Sequence, residues 1–399
     1  MKKIFIIAGE ASGDYLGGCL IEDIKKIIFD PKYIDTKESK IEFIGVGGTN
    51  LEKAGLKLIF SIDELSIIGI WEVIGKIFHV KKLIKKTVDA VHFHKPDVVV
   101  TIDSSGFTHR IDKALKKSEH SKHIPIVHYV APPVWAWRSW RAKSLHKFID
   151  KLLVLLPFEP EIFTKHHLKT VFVGHPIASD VNFNTPTDIE KAAFLQKIGI
   201  SKDSTSGVKI VTLLPGSRKS EIDAHIPIMS KFSEMMTEKY KDVKFIIPTI
   251  ETMKGYVESK TANWLAHPLV VGTVFEKNLT YHVSDVSVAA SGTVTLELAK
   301  TGVPSVVIYK TSALTAAIVK YLIKIKYVCL INIIAKKEIV PELLQKQCTA
   351  ENIFENVVRL LETRDGEEQK QSSSNVIESL KPRQSTSAAL EVLKIFDKK

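Results

Sequence analysis

Short apolar runs alternate with stretches in which apolar residues recur every three or four positions, from one end of the chain to the other. That alternation predicts β-strands joined by crossover helices, the pattern of parallel sheets. The first set of strands is expected at Lys3–Ala8, Ile41–Val46, Val98–Ile102, Pro125–Val130, Lys151–Leu156 and Thr170–Val173. A second set is expected at Lys209–Leu214, Lys244–Pro248, Leu269–Gly272, Val286–Ala290 and Pro304–Tyr309. Between them lie a turn-rich stretch, Asn182–Asp188, a polar helix and the polar run Ser201–Gly207, which mark the best domain boundary. The expected fold is α/β, with two Rossmann-like parallel-sheet domains facing each other across a cleft. Residues 1–180 would form the first domain and 181–350 the second, with helices over 351–399 that could pack back on the first. Thr363 to Ser374 is charged and serine-rich without apolar periodicity and reads as a loop or disordered segment. Helical spacing returns over Ala388–Phe396.

Composition narrows the function. The 399 residues are enough for two or three cores, and a net charge of +11 favours anionic partners: nucleic acid, phosphorylated substrates or an acidic membrane. The lysines are scattered through helical segments, which weakens the nucleic-acid reading. Cys19, Cys329 and Cys348 are sparse and unpaired in spacing, as expected for reduced thiols. No apolar stretch approaches the roughly 20 residues of a spanning helix. One segment, Leu65 to Lys86, is nevertheless more apolar than a single packed face needs. Ile67, Ile68, Ile70, Trp71, Val73, Ile74, Ile77 and Phe78 run into Lys76, Lys81, Lys82, Lys85 and Lys86. It could be a helix packed on the sheet, or an apolar lip that meets anionic lipid.

Candidate chemistry sits where strands end. Gly9-Glu-Ala-Ser-Gly-Asp14 follows the first strand: its glycines permit a tight turn, and Ser12 or Asp14 could cap the next helix. The spacing is not a dinucleotide fingerprint, so a nicotinamide cofactor is not expected. Asp103 leaves the apolar strand Val98–Ile102 and could either cap a helix or accept the proton of an attacking hydroxyl. Three of the five tryptophans crowd one Pro-rich loop (Trp135, Trp137 and Trp140) beside Arg138 and Arg141, a grouping suited to ligand contact. The histidines lack metal-ligand spacing, and no metal is expected. In the second half, Pro215-Gly216-Ser217-Arg218 offers a close backbone approach, a hydroxyl and a guanidinium, while Ser291-Gly292-Thr293 opens a helix. Turn and helix-start N–H groups together favour a nucleotide diphosphate, with Glu297 placed to accept from ribose hydroxyls.

The ordered set Gly9–Asp14, Tyr129–Trp137, Leu156–Pro160, Gly174–Pro176, Leu214–Arg218, Ala290–Thr293, Asn332–Ala335 and Pro341–Gln345 resembles the lipid-A-disaccharide synthase family. The resemblance implies an inverting glycosyltransferase of the two-Rossmann class that needs no metal or cofactor. Its substrates would be UDP-2,3-diacylglucosamine and 2,3-diacylglucosamine 1-phosphate, its product the β-1,6-linked disaccharide. It also implies peripheral association with the anionic cytoplasmic face of the inner membrane. Asp103 would be the base and Arg218 would assist the leaving UDP. Glu10, Ser12, Asp14, the tryptophan loop, Asn332 and Gln345 would line the substrate sites. The chain departs from the family at Ser105, Gly106 and Thr108, where Pro-Asp-Phe-Asn is usual around Phe107, and has Pro133 where the family has serine. Competing readings are a UDP-N-acetylglucosamine 2-epimerase-like enzyme of the same fold and a basic nucleic-acid-binding protein.

Overall fold

In the computed structural model, which describes residues 1–29, 41–66, 73–136, 139–200, 207–311, 326–382 and 386–396, each expected strand is present. A seven-stranded parallel sheet has the order β3-β2-β1-β4-β5-β6-β7. Its strands are β1 Lys2–Ala8, β2 Ile41–Gly47, β3 Lys57–Ser61, β4 Val98–Ile102, β5 Ile126–Tyr129, β6 Lys151–Val154 and β7 Thr170–Phe172. A six-stranded sheet has the order β10-β9-β8-β11-β12-β13. It is built from β8 Lys209–Leu214, β9 Val243–Pro248, β10 Leu269–Val271, β11 Val286–Ala290, β12 Ser305–Tyr309 and β13 Glu342–Leu344. Both sheets are parallel, and in both the order runs outward, reverses and runs the other way. Such a reversal is the topological switch point at which open α/β sheets bind ligands.

Alternation along the central strands divides each core into two layers. Ile4, Ile6 and Ala8 face one apolar cluster with Leu16, Leu20, Ile21 and Ile24 of helix Ala11–Ile28. Phe5 and Ile7 face another, with Leu83, Ile111 and Leu115 from the opposite helices. In the second sheet Val211, Leu213, Phe245 and Ile247 face Ile222, Met229 and Phe232 of helix Lys219–Lys239, while Ile210 and Ile246 face the other side. With apolar side chains on both faces, these segments are stable only when sandwiched between helices.

The chain divides into two compact units, Met1–Pro176 with Lys381–Lys399, and Ile177–Leu380. Within the first, helix Ala388–Leu393 sets Ala389 and Val392 into the cluster around Ile4 and Ile6. Lys151 of β6 pairs there with Glu391, both nearly buried, and donates to the Glu391 carbonyl at 2.8 Å.

Three features differ from the expectations. Strands β3 and β13 lie at the sheet edges, where a short strand with one solvated side loses the apolar run that marks a central one. The segment expected to be a loop, Thr363 to Ser374, is mostly helix, Asp365–Ser379. Its buried stripe is Gly366, Gln369, Ser373, Val376 and Ile377, helically spaced but half polar. Gln369 makes this possible by accepting from Ser305 N at 2.5 Å and donating to Ser305 O at 3.1 Å.

Candidate functional site

In the second unit a cavity of about 620 Å³ opens at the switch point, between the loops that leave β8 and β11. It is lined by Gly216, Ser217, Arg218, Ser291, Gly292, Thr293 and Glu297, so these seven expected residues converge on one space. Its size suits a small organic ligand.

The turn after β8 is shaped by Gly216, whose φ of +117° lies in the left-handed region. A Cβ there would stand 2.6 Å from Glu221, so a side chain is excluded on steric grounds as well. The turn aims two backbone donors at one point: Ser217 N and Arg218 N reach Glu221 Oε2 at 3.1 and 3.4 Å. The exposed Arg218 guanidinium adds a bond to Glu221 Oε1 at 2.9 Å. A carboxylate thus sits in a nest of N–H groups and a guanidinium, which shows that the turn accepts an oxyanion. His225 braces the nest from below. Its Nδ1–H donates to Pro215 O at 2.7 Å and its Nε2 accepts from Lys310 N at 3.0 Å, an arrangement only the neutral ring can make. Burial also lowers its pKa.

Glu297, one turn into helix Val294–Thr301, is held by two side chains that the sequence did not single out. Lys277 Nζ lies 3.1 and 3.0 Å from its two oxygens, and Tyr281 OH donates at 3.0 Å. Both come from helix Val274–Val283, four residues apart and therefore on one face. The Ser291 hydroxyl donates to Val328 O at 3.1 Å and fixes the loop that precedes the helix.

Two residues expected at substrate sites are interior instead. Asn332 is fully buried: its Nδ2 donates to Val340 O and Glu342 Oε1, both at 2.8 Å, and its Oδ1 accepts from Ile339 N and Val340 N. With every polar atom satisfied it organises a turn and offers nothing to a ligand. Asp14, 3% exposed, accepts from Gly48 N, Asn50 N, Asn50 Nδ2 and Leu51 N, and so anchors the turn after β2 rather than capping its own helix. Gln345, at a φ of +50°, accepts from Thr311 N at 3.4 Å beside the end of β13.

The switch point of the first unit holds Asp103. Asp103 and Ser104 both have positive φ, 49° and 44°, two consecutive non-glycine residues in a costly region. Thr108 Oγ1 secures this backbone by donating to Asp103 O at 2.7 Å. Gly9, in the turn after β1, would place a Cβ 2.6 Å from Ser104 Oγ in the turn after β4, so only glycine lets the two loops meet. Ser12 Oγ donates to Asp103 Oδ2 at 3.1 Å. The carboxylate therefore caps no helix, because Phe107 holds the N-cap position of Thr108–Lys117 without a side-chain bond. Glu10 is exposed at the start of helix Ala11–Ile28.

In the aromatic loop, Trp135 Nε1 donates to Glu159 Oε1 at 3.2 Å, and its ring meets Phe158 edge-on. Glu159 also accepts from Leu156 N at 3.0 Å. Burial pushes its carboxyl up to about 7. Arg141 stacks 5.9 Å from the Trp140 ring. Trp137 and Arg138 lie outside the described residues.

The family model for lipid-A-disaccharide synthetase matches residues 4–395. A lipid-A-disaccharide synthase from Rickettsia bellii is 39% identical over 368 residues, covering 90% of this chain and 89% of its own. Among solved structures, a UDP-GlcNAc 2-epimerase from Neisseria meningitidis bound to UDP-GlcNAc aligns over 100% of both chains with a TM-score of 0.62 at 12% identity. MurG from Acinetobacter baumannii also covers 100% of both chains, with a TM-score of 0.54 at 12% identity. At such identities these two likenesses establish the shared two-sheet fold. With nearly its whole length matched and more than a third of its residues identical to a curated member, this chain belongs to the lipid-A-disaccharide synthase family, a family of glycosyltransferases.

Proposed function

We propose that the enzyme transfers 2,3-diacylglucosamine from its UDP derivative to the 6-hydroxyl of 2,3-diacylglucosamine 1-phosphate. The observation that carries this reading is the oxyanion nest at Ser217–Arg218 opening into the same cavity as Glu297 and the helix start at Gly292–Thr293. There the diphosphate would replace the Glu221 carboxylate, and the remaining lone pairs of Glu297 would accept from the ribose. Asp103 takes the acceptor's hydroxyl proton as the oxygen attacks the anomeric carbon. The bond from that carbon to the β-phosphate oxygen breaks, and its electron pair leaves on UDP, stabilised by Arg218 and the helix N-terminus. Ser12 orients Asp103 through its hydroxyl. The aromatic loop, with Trp135 and Arg141, supplies apolar area and charge for the acyl acceptor and its phosphate.

Incubation with both substrates tests the proposal directly: the disaccharide and one equivalent of UDP are expected. UDP released without disaccharide would indicate a hydrolase. An altered donor sugar would indicate an epimerase, and salt-sensitive nucleic-acid binding without preference for UDP would remove the donor site altogether. Arg218→Ala should weaken UDP binding by about 1.5–3 kcal/mol, the worth of a charge-assisted contact, as read by calorimetry. Equal affinities would take Arg218 out of the donor site.

Peripheral membrane attachment is part of the same proposal. No helix among the described residues is long and apolar enough to cross a membrane. On helix Val73–His94, Lys81, Lys82, Lys85 and Lys86 are exposed while Leu83 is buried against the sheet. Phe78, 67% exposed, stands beside Lys81. Ile67, Ile68, Ile70 and Trp71 lie outside the described residues. Each lysine near an anionic surface contributes about 1 kcal/mol, so Lys81→Glu with Lys82→Glu should weaken binding to anionic vesicles by roughly tenfold or more. Unchanged sedimentation at low salt would place the membrane surface elsewhere.

A further inference from the structure

Beneath the Asp103 loop lies a cluster of side chains that the transfer reaction does not use. Thr101 of β4, His128 of β5 and Asp112 of helix Thr108–Lys117 are fully buried, and His109, one turn before Asp112, closes the group. His128 Nδ1 and Thr101 Oγ1 lie 2.8 Å apart, and Thr101 Oγ1 lies 3.3 Å from Asp112 Oδ2. These distances fit a relay in which the His128 Nδ1–H donates to Thr101 and the Thr101 hydroxyl donates to Asp112. His128 Nε2, Asp112 Oδ1 and His109 Nε2 are left buried with no hydrogen-bond partner. Each of the three residues thus carries one buried polar atom without a partner, which is unusual within a single cluster because buried polar groups are nearly always hydrogen-bonded. One ligating atom from each residue lies within 4.8 Å of the others.

We propose that His109, Asp112 and His128 form a binding site for a divalent transition-metal ion of the zinc or cobalt class, which pins helix Thr108–Lys117 to β5. Two imidazoles and a carboxylate are the donor chemistry such ions prefer. The Thr101 hydroxyl beside His128 Nδ1 is the outer-shell partner that fixes a ligating ring's tautomer and orientation. Burial lowers the pKa of His109 to about 4, lowers that of His128 well below its ordinary value and raises that of Asp112, so an ion that binds here displaces the Asp112 proton. The charged groups around the cluster are Lys113, Lys116, Arg141 and Asp150. Bonding distances of about 2.0–2.1 Å require the three side chains to draw together by roughly an ångström, and His109, the only partly exposed member, gives the cluster room to do so. The role is structural. The ion would stiffen the two elements that flank Asp103 while staying off the reaction path, so the site stands independently of the proposed substrates.

The test uses the full chain, stripped with a chelator and dialysed against Zn²⁺ or Co²⁺. Roughly one ion per chain is expected by elemental analysis, with visible d–d absorption for Co²⁺ and a raised melting temperature. His109→Ala, which alters the partly exposed member, and the isosteric Asp112→Asn should each weaken binding by roughly tenfold or more and reduce the cobalt spectrum. Circular dichroism of the metal-free variants verifies that they fold. No stoichiometric ion in the wild type would overturn the proposal. Binding that persists unchanged in both folded variants would do the same, because the ion would then belong to other histidines.

Discussion

Asp103→Asn is expected to lower turnover by about 10²–10⁴-fold while leaving UDP affinity within about twofold, because the proposed general base would act on the acceptor and not on the nucleotide. Asparagine is the informative replacement. It keeps an oxygen to accept from Ser12, and like aspartate it tolerates the positive φ found at this position. Alanine would change the backbone preference together with the chemistry. Steady-state rates and calorimetric UDP titration on the same preparations separate the two effects. If the variant retains more than a tenth of the wild-type rate, Asp103 is not the base. Asp14 could not then take its place, since four hydrogen-bond donors enclose its carboxylate, and the exposed Glu10 would become the candidate.

A second large effect is expected from Glu159. Its ordinary carboxyl value of 4.5 rises to about 7 in the folded protein because the group is buried beside Trp135. The folded state therefore holds this proton more tightly than the unfolded chain. The resulting stability is fully present below the unfolded value and is lost as pH rises through 7. A shift of this size corresponds to roughly 3 kcal/mol. Glu159→Gln retains an acceptor for Leu156 N or Trp135 Nε1 and carries no charge at any pH. Between pH 5 and pH 8 the wild type should lose on the order of 3 kcal/mol more stability than the variant, measured by denaturant unfolding in parallel. Parallel pH profiles would mean that Glu159 is solvated and that Trp135 is not held by a buried carboxyl. The Leu156–Pro160 motif thus has a physical reason: it supplies the buried acceptor that orients the aromatic loop.

The sequence alone determined the central strands, the two-sheet organisation and seven of the residues that line the cavity of the second unit. Strands buried on both faces must be apolar throughout, and turns at their carboxyl ends need glycine and small polar residues; both constraints are local and leave visible runs and spacings. Strands β3 and β13, two of the four sheet edges, and the helix Asp365–Ser379 were decided by tertiary structure. Edge strands answer to one neighbour only, and that helix buries polar side chains whose partners, such as Ser305 for Gln369, are distant along the chain. The same limit separates the site residues. Gly216, Ser217, Arg218 and Thr293 were legible because backbone shape and helix starts are written locally. Asp14 and Asn332 sit in motifs of the same appearance, yet the fold encloses them with donors and acceptors from other segments. Lys277 and Tyr281 stand four residues apart on one helix and His109 and Asp112 three apart on another, but nothing in the sequence ties the first pair to Glu297 or the second to His128, because those contacts are set by three-dimensional distance.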